Sequence, residues 1–192
     1  VENAIFDLRT YDLTINGIPR IFVSDSQNVV IYPAGDKIIL KKNRHFQFDG
    51  QIQAGLFTFT GRNFFFNYDS FKIDLQKIDS LRIRYLTGKY DNYGFPLTEV
   101  TQTILEDMKG EVYIDKPDNK SGRFSYPQYP VFVSKESGYV YYDKPEIHHG
   151  IYSRDKFFFR LDPFSMDSID NFNRRSMHFE GELASADIFP VL

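Results

Sequence analysis

The sequence predicts an all-β chain, and three observations carry that expectation. The 192 residues include 20 Phe and 13 Tyr and no Trp. Alanine is limited to Ala4, Ala34, Ala54, Ala184 and Ala186, while Ile and Val are plentiful. Apolar residues alternate with polar ones over short runs. Aromatic and β-branched side chains suit a pleated, half-buried surface, and an Ala-poor chain disfavours helix. Each buried aromatic removes roughly 150–250 Å² from water, so a thin β-layer holds a sufficient core.

Alternation places the strands in order. Phe46, Phe48, Ile52, Phe57 and Phe59 are interleaved with Gln47, Gln51, Gln53, Thr58 and Thr60. Phe64–Phe66, Tyr68, Phe71 and Ile73 continue the pattern, and Leu81, Ile83 and Tyr85 alternate with Arg82 and Arg84. Residues 111–114, 131–133 and 139–142 read as further strands. Turn chemistry separates them at Asn16-Gly17, Ala34-Gly35-Asp36, Asp49-Gly50, residues 60–63, Asp91-Asn92-Tyr93-Gly94 and Lys116-Pro117-Asp118-Asn119. Leu97–Met108 has a helix-like start at Thr98, but its β-branched centre makes it extended. Asp162–Phe172 is expected to hold one short helical turn.

Self-comparison finds a recurring skeleton: an apolar residue, an acid, a gap, a small residue and then aromatics. It occurs at Phe48-Asp49…Ala54-Gly55-Leu56-Phe57, at Ile114-Asp115…Ser121-Gly122-Arg123-Phe124, at Tyr142-Asp143…His149-Gly150-Ile151-Tyr152, and at Phe179-Glu180…Ser185-Ala186 with Phe189. Residues 62–66, Asp69, Phe71 and Asp74 match residues 155–159, Asp162, Phe164 and Asp167 at a constant offset of 93. The acids are spaced by 66, 28 and 37 residues, so the period is not strict. The acid is expected to accept backbone N–H bonds, and the small residue to take a positive φ or allow close backbone approach. Aromatics of successive copies are expected to stack.

These readings favour an elongated repeat architecture, a parallel β-helix-like solenoid, with stacked antiparallel hairpins or a β-sandwich as the alternative. Residues 1–45 form an N-terminal β segment. Residues 46–192 form the repeat-containing region, with copies near 46–79, 112–124, 140–170 and 177–190, in one continuous domain read as a segment of a longer chain.

The segments Phe-Asp-Gly-x-Ile-x-Ala-Gly-Leu-Phe (48–57), Asn119-Lys120-Ser121-Gly122 with Tyr129-Pro130, and Val140-Tyr141-Tyr142-Asp143-Lys144 resemble repeat segments of large, uncharacterised envelope or surface proteins of Bacteroidetes-type bacteria. The resemblance spans most of residues 30–192. It implies an extracytoplasmic setting and a structural or interaction role, and brings no catalytic residues.

Charge and motifs narrow the function classes. A net charge of −3 and a pI near 5.8 argue against nucleic acid or anionic lipid as a partner. With no cysteine, disulfides and thiolate chemistry are excluded. No apolar run is long enough for a membrane span or a signal-peptide core. His148-His149 with Glu146 lacks a third metal ligand, and His149 fills the small position of its copy. Asp115, Asp118 and Asn119 supply oxygens near a turn; an Asx-turn loop is expected there, with a calcium site as the alternative. The acids Asp69, Asp74, Asp79, Asp162, Asp167 and Asp170 recur along the chain, as turn formers do, rather than forming one catalytic pair. No cofactor is therefore expected. The remaining candidates are loop tyrosines able to stack on a sugar or peptide: Tyr93, Tyr126, Tyr129 and Tyr141. The expected role is a non-enzymatic structural or interaction module of a bacterial envelope or surface assembly, whose partners are proteins or further copies of the array. A carbohydrate-binding or carbohydrate-active β-protein is the alternative, and a viral or appendage structural protein the third.

Overall fold

The computed structural model describes residues 3–186 and residue 188. Among these residues there are fourteen strands and no α-helix. The strands are β1 (Ala4–Phe6), β2 (Leu13–Asn16), β3 (Ile21–Ser24), β4 (Val29–Pro33), β5 (Lys37–Leu40), β6 (Phe46–Ala54), β7 (Phe57–Asn67) and β8 (Lys72–Tyr90). They continue with β9 (Pro96–Tyr113), β10 (Val131–Ser134), β11 (Gly138–Tyr141), β12 (Phe157–Leu161), β13 (Ser165–Met166) and β14 (Gly181–Ser185). All belong to one open sheet with the main order β1-β2-β5-β6-β7-β8-β9-β11-β12-β14.

The preferred solenoid is therefore corrected. Every strand pair is antiparallel, and the one parallel contact among the described residues is an isolated bridge from Leu86 to Asn173. Connection length supplies the physical reason. Only Gly55 and Leu56 separate β6 from β7, residues 68–71 separate β7 from β8, and residues 91–95 separate β8 from β9. A parallel crossover needs about a dozen residues or more, so these links permit only hairpins. The antiparallel alternative fits.

Leu97–Met108 is extended, as the β-branched centre requires, and lies within β9. The helical turn expected within Asp162–Phe172 is absent; those residues form β13 and a turn at 169–170. Their backbone groups are taken up by other segments: Ser168 N–H bonds Gln128 O at 2.8 Å, and Ile169 N–H bonds Pro130 O at 3.2 Å. Distant partners thus replace the local i→i−4 bonds that a helix would use.

Two strands each serve two neighbours on one edge. β6 pairs with β5 through Phe46 and Gln47, and with β4 from Gly50 to Ala54. β9 pairs with β10 through residues 110–113, and with β11 at Glu106. An irregularity lies at each fork: a register shift between Phe48 and Gly50, and Asp107 at φ 56° in β9. Bulged positions bend a strand and increase its twist, which lets one edge face two directions.

The core occupies one face of this bent sheet. Phe57, Phe59 and Phe64 of β7 and Ile73, Leu75, Ile78 and Leu81 of β8 are fully buried, and intervening residues face outward. A chain of rings runs through it: Phe172–Phe57 at 5.2 Å, Phe57–Phe59 at 6.3 Å, Phe59–Phe132 at 4.9 Å, Phe132–Phe164 at 5.6 Å and Phe164–Phe179 at 5.0 Å. β7 and β10 are three places apart along the sheet, so a flat sheet would separate their backbones by about 14 Å. The contact of Phe59 with Phe132 shows that the sheet curls over its own buried face.

The glycine of each small-Gly pair, replaced by Ala in the fourth, is left-handed in all four segments: Gly55 at φ 56°, Gly122 at 64°, Gly150 at 70° and Ala186 at 53°. Phe164 of the third segment meets Phe179 of the fourth, but the matched Phe runs at 64–66 and 157–159 pack locally instead of on each other. Phe64 and Phe66 meet Phe48 and Phe46, whereas Phe157 and Phe158 meet Tyr142 and Tyr139. The Phe189 position of the fourth segment lies outside the described residues.

On the outer face, Asp74 and Glu111 stand directly opposite each other across β8 and β9. Lys72 bridges both at 2.7 Å, and Lys135 reaches Glu111 at 2.9 Å. Burial pushes the Glu111 carboxyl up, but hydrogen bonds from Lys72, Tyr113 and Lys135 outweigh it and hold the group at about 2. The folded value is depressed, so the stabilisation is complete above the ordinary value of 4.5 and is lost as pH falls from 4.5 to about 2. Glu111→Gln should cost ~2 kcal/mol at pH 7 and flatten the acid limb of stability against pH, read by urea unfolding at several pH values. An unchanged acid limb would remove this network from the account. In the core, Phe59→Ala should cost about 3–5 kcal/mol by the same measurement. A loss below about 1 kcal/mol would mean that the Phe59–Phe132 contact does not close the sheet.

Candidate functional site

A cleft of about 560 Å³ opens where four segments meet: the outer part of the β8–β9 hairpin at Leu86 and Pro96, Ser26 and Gln27, the loop 122–127, and the segment around Asp170 and Asn171. Smaller depressions adjoin it. One of about 470 Å³ runs along residues 165–173 and shares Asn171, and another of about 400 Å³ holds Arg174 and Arg175 and shares Leu86. Together they form a shallow trough.

Buried polar groups fix the 122–127 wall. Asn119 is buried, and its side chain bonds Phe124 in both directions: Phe124 N–H donates to Oδ1 at 2.9 Å, and Nδ2 donates to Phe124 O at 2.8 Å. Asn119 Nδ2 also donates to Asp115 Oδ2 at 2.8 Å, and Gln27 Nε2 donates to the same oxygen at 3.0 Å. Asp115 Oδ1 accepts from Lys116 N–H at 2.7 Å. The oxygens considered for calcium are thus engaged internally at Asp115 and Asn119, and Asp118 is exposed. No group of three or more metal-ligating side chains occurs among the described residues. With its backbone pinned, Phe124 is 58% exposed at the cleft, with the Arg123 guanidinium over its ring at 5.7 Å.

The opposite wall is clamped by backbone. Leu56 N–H donates to Ile169 O at 2.9 Å, and Leu86 N–H donates to Phe172 O at 2.8 Å. Ile169 is fully buried, and Phe172 packs edge-on against Phe57. Between these anchors sits Asp170. Its Oδ1 is buried and has no hydrogen-bond partner. Burial raises the Asp170 carboxyl above the ordinary carboxylate range, against the backbone N–H groups of Asp170 and Asn171. A buried acceptor left without a donor costs on the order of 1–3 kcal/mol, so its retention asks for an explanation.

The predicted tyrosines fall in separate places. Tyr126 lines the cleft, with Lys116 Nζ 3.9 Å from its ring centre. Tyr129 is half-buried behind the same loop, its N–H donating to Tyr126 O at 3.0 Å. Tyr93 stands at the tip of the β8–β9 hairpin, 87% exposed. Tyr141 belongs to an outer-face cluster. Arg154 lies 3.4 Å over its ring and bonds Glu106 at 2.7 Å, while the Tyr141 hydroxyl donates to Asp107 at 3.1 Å. Burial first, then Asp107, pushes the Tyr141 hydroxyl up to about 12. The Arg154 guanidinium occupies one face of the ring, which leaves less of Tyr141 for a ligand than its sequence context implied. Sequence reasoning missed Asp170 and Phe124 as site residues. Arg123-Phe124-Ser125-Tyr126-Pro127 carried a usable signal, aromatics within a polar, Pro-bearing loop. Asp170 carried none, because it reads like the other recurring acids.

No family model matches the chain, and neither the curated proteins nor the solved structures provide a match.

Gly55 sets the position of Asp170. A Cβ at Gly55 would lie 2.5 Å from Asp170 Cα, and its φ of 56° is itself strained for L residues. Gly55→Ala should cost about 1–3 kcal/mol and shift the amide resonances of residues 168–172 in a ¹H–¹⁵N spectrum. Unperturbed resonances there would mean that the turn and the cleft wall are uncoupled.

Proposed function

We propose that the chain is a non-enzymatic structural or interaction module of a bacterial envelope or surface assembly. The observation that supports it best is the β8–β9 hairpin. Beyond the Leu86–Asn173 bridge, the hairpin projects with Tyr90, Tyr93, Phe95 and Leu97 exposed, and Val100, opposite Arg84, is exposed just before it. Exposed apolar residues grouped in this way mark interaction sites more often than idle surface. The tip is also rigid. Asp91 Oδ1 accepts from Tyr93 N–H at 2.8 Å and from Phe95 N–H at 2.9 Å, and Asp91 N–H donates to Phe95 O at 2.9 Å. Along the arm, Tyr85 OH donates to Glu99 at 2.6 Å and Arg84 to Thr98 at 2.5 Å. Rigid aromatics lose little conformational entropy on binding, which suits an anchor for a protein partner.

The envelope setting rests on the resemblance of residues 48–57, 119–130 and 140–144. No helix among the described residues is long and apolar enough to cross a membrane, and crossing by strands is a separate matter. A second reading, a carbohydrate-binding β-protein, is favoured by one observation, the exposed Phe124 ring beside the polar trough.

A photoreactive phenylalanine at position 93, introduced in the native cells, should give a discrete adduct with one envelope protein. The double variant Tyr93→Ser, Phe95→Ser should lose that partner while shifting the Tm by less than about 2 °C, because surface changes rarely exceed 0.5 kcal/mol. Fractionation with cytosolic proteins and no adduct would refute the assignment.

A further inference from the structure

We propose that the cleft between loop 122–127 and the Asp170 segment binds a neutral saccharide, with the Phe124 ring as platform and the Asp170 carboxylate as acceptor of sugar hydroxyls. The inference deepens the carbohydrate-binding reading and is independent of the hairpin contact.

The unpartnered oxygen comes first. Asp170 lines the cleft, and its Oδ1 is buried without a hydrogen-bond partner. The segment carrying it is anchored at both ends, by Leu56 N–H on Ile169 O and Leu86 N–H on Phe172 O. The backbone carrying the carboxylate is therefore fixed, and it brings Oδ1 no donor. A hydroxyl brought by a ligand would supply one, and hydrogen bonds to charged acceptors are among the stronger ones.

The platform is equally deliberate in its construction. Asn119 grips Phe124 by both backbone polar groups, and Asp115 with Gln27 holds Asn119 in turn. A buried polar network of this kind is costly to desolvate, and here it serves to display an apolar ring in the open. Saccharides offer both required surfaces, an apolar C–H face for the ring and hydroxyls for the acid.

The charge of the lining selects against ions. One acid, Asp170, and one base, Arg123, sit in the same cleft, and Ser26, Asn171 and Ser125 are neutral hydrogen-bonding groups. A volume of about 560 Å³ falls within the range of small-ligand sites.

The test is calorimetric titration of the intact chain with cello-, malto-, xylo-, laminari- and chitopentaose, and with oligolysine as the charged probe. At least one neutral pentasaccharide should bind. Phe124→Ala and Asp170→Asn should each weaken it about tenfold or more. Asp170→Asn should leave the Tm unchanged or raise it, since it relieves an unsatisfied charge; a purely structural Asp170 would instead lower the Tm. Sugar binding that survives both variants would overturn this cleft while leaving the carbohydrate reading intact. No sugar binding at all, or binding of oligolysine alone, would overturn both.

Discussion

The contact between Phe59 and Phe132 sets the shape of the molecule. An antiparallel sheet with one apolar face must cover that face, and this chain has no α-helix among its described residues to do so. The sheet covers itself. Bringing β10 over β7 buries both rings completely and draws Phe164 and Phe179 into the same row. At roughly 25 cal/mol per Å² of apolar area, rings of this size are the strongest local driving force available to a chain so rich in Phe.

Curling has a geometric consequence. A strand inside a curled sheet cannot keep one straight neighbour along its whole edge, and β6 and β9 each change neighbours where the backbone is irregular. The residues after β9 bury polar groups beside the core, so these groups must bond one another; Asp115, Asn119 and Gln27 do so. The segment 168–172 lies against the β6–β7 turn, where Gly55 lets the two backbones touch. The cleft lies between these two segments.

What could be read beforehand follows the same division. Period-two alternation reports which residues share a face, and the Phe57–Phe66 and Ile73–Ile83 faces were legible on that ground. Left-handed backbone at Gly55, Gly122, Gly150 and Ala186 was legible from the spacing of small residues. Alternation is the same for parallel and antiparallel strands, so it did not distinguish solenoid from hairpins; the short links after Ala54, Asn67 and Tyr90 did hold that information. Tyr126 stood out because an aromatic in a Pro-bearing loop is conspicuous. Asp170 did not, since its place at the cleft comes from backbone bonds of its segment to Leu56, Leu86 and Gln128, which are distant in sequence. Tyr141 is the reverse case: conspicuous in sequence, then partly covered by Arg154.

The two acids near the cleft show how environment divides one residue type into two roles. Asp115 and Asp170 both follow an isoleucine and open a turn, and both carry a buried carboxylate oxygen. Asp115 Oδ2 takes two side-chain donors, from Gln27 and Asn119, and its other oxygen takes the Lys116 N–H, so its charge is spent on holding a loop. Asp170 Oδ1 takes none, although its segment is held as firmly by backbone bonds. A structural acid gains nothing from an empty acceptor, because exchanging the carboxylate for an amide or an apolar group would relieve the cost. The contrast makes Asp115 part of the framework and leaves Asp170 as the cleft acid with one oxygen unpartnered.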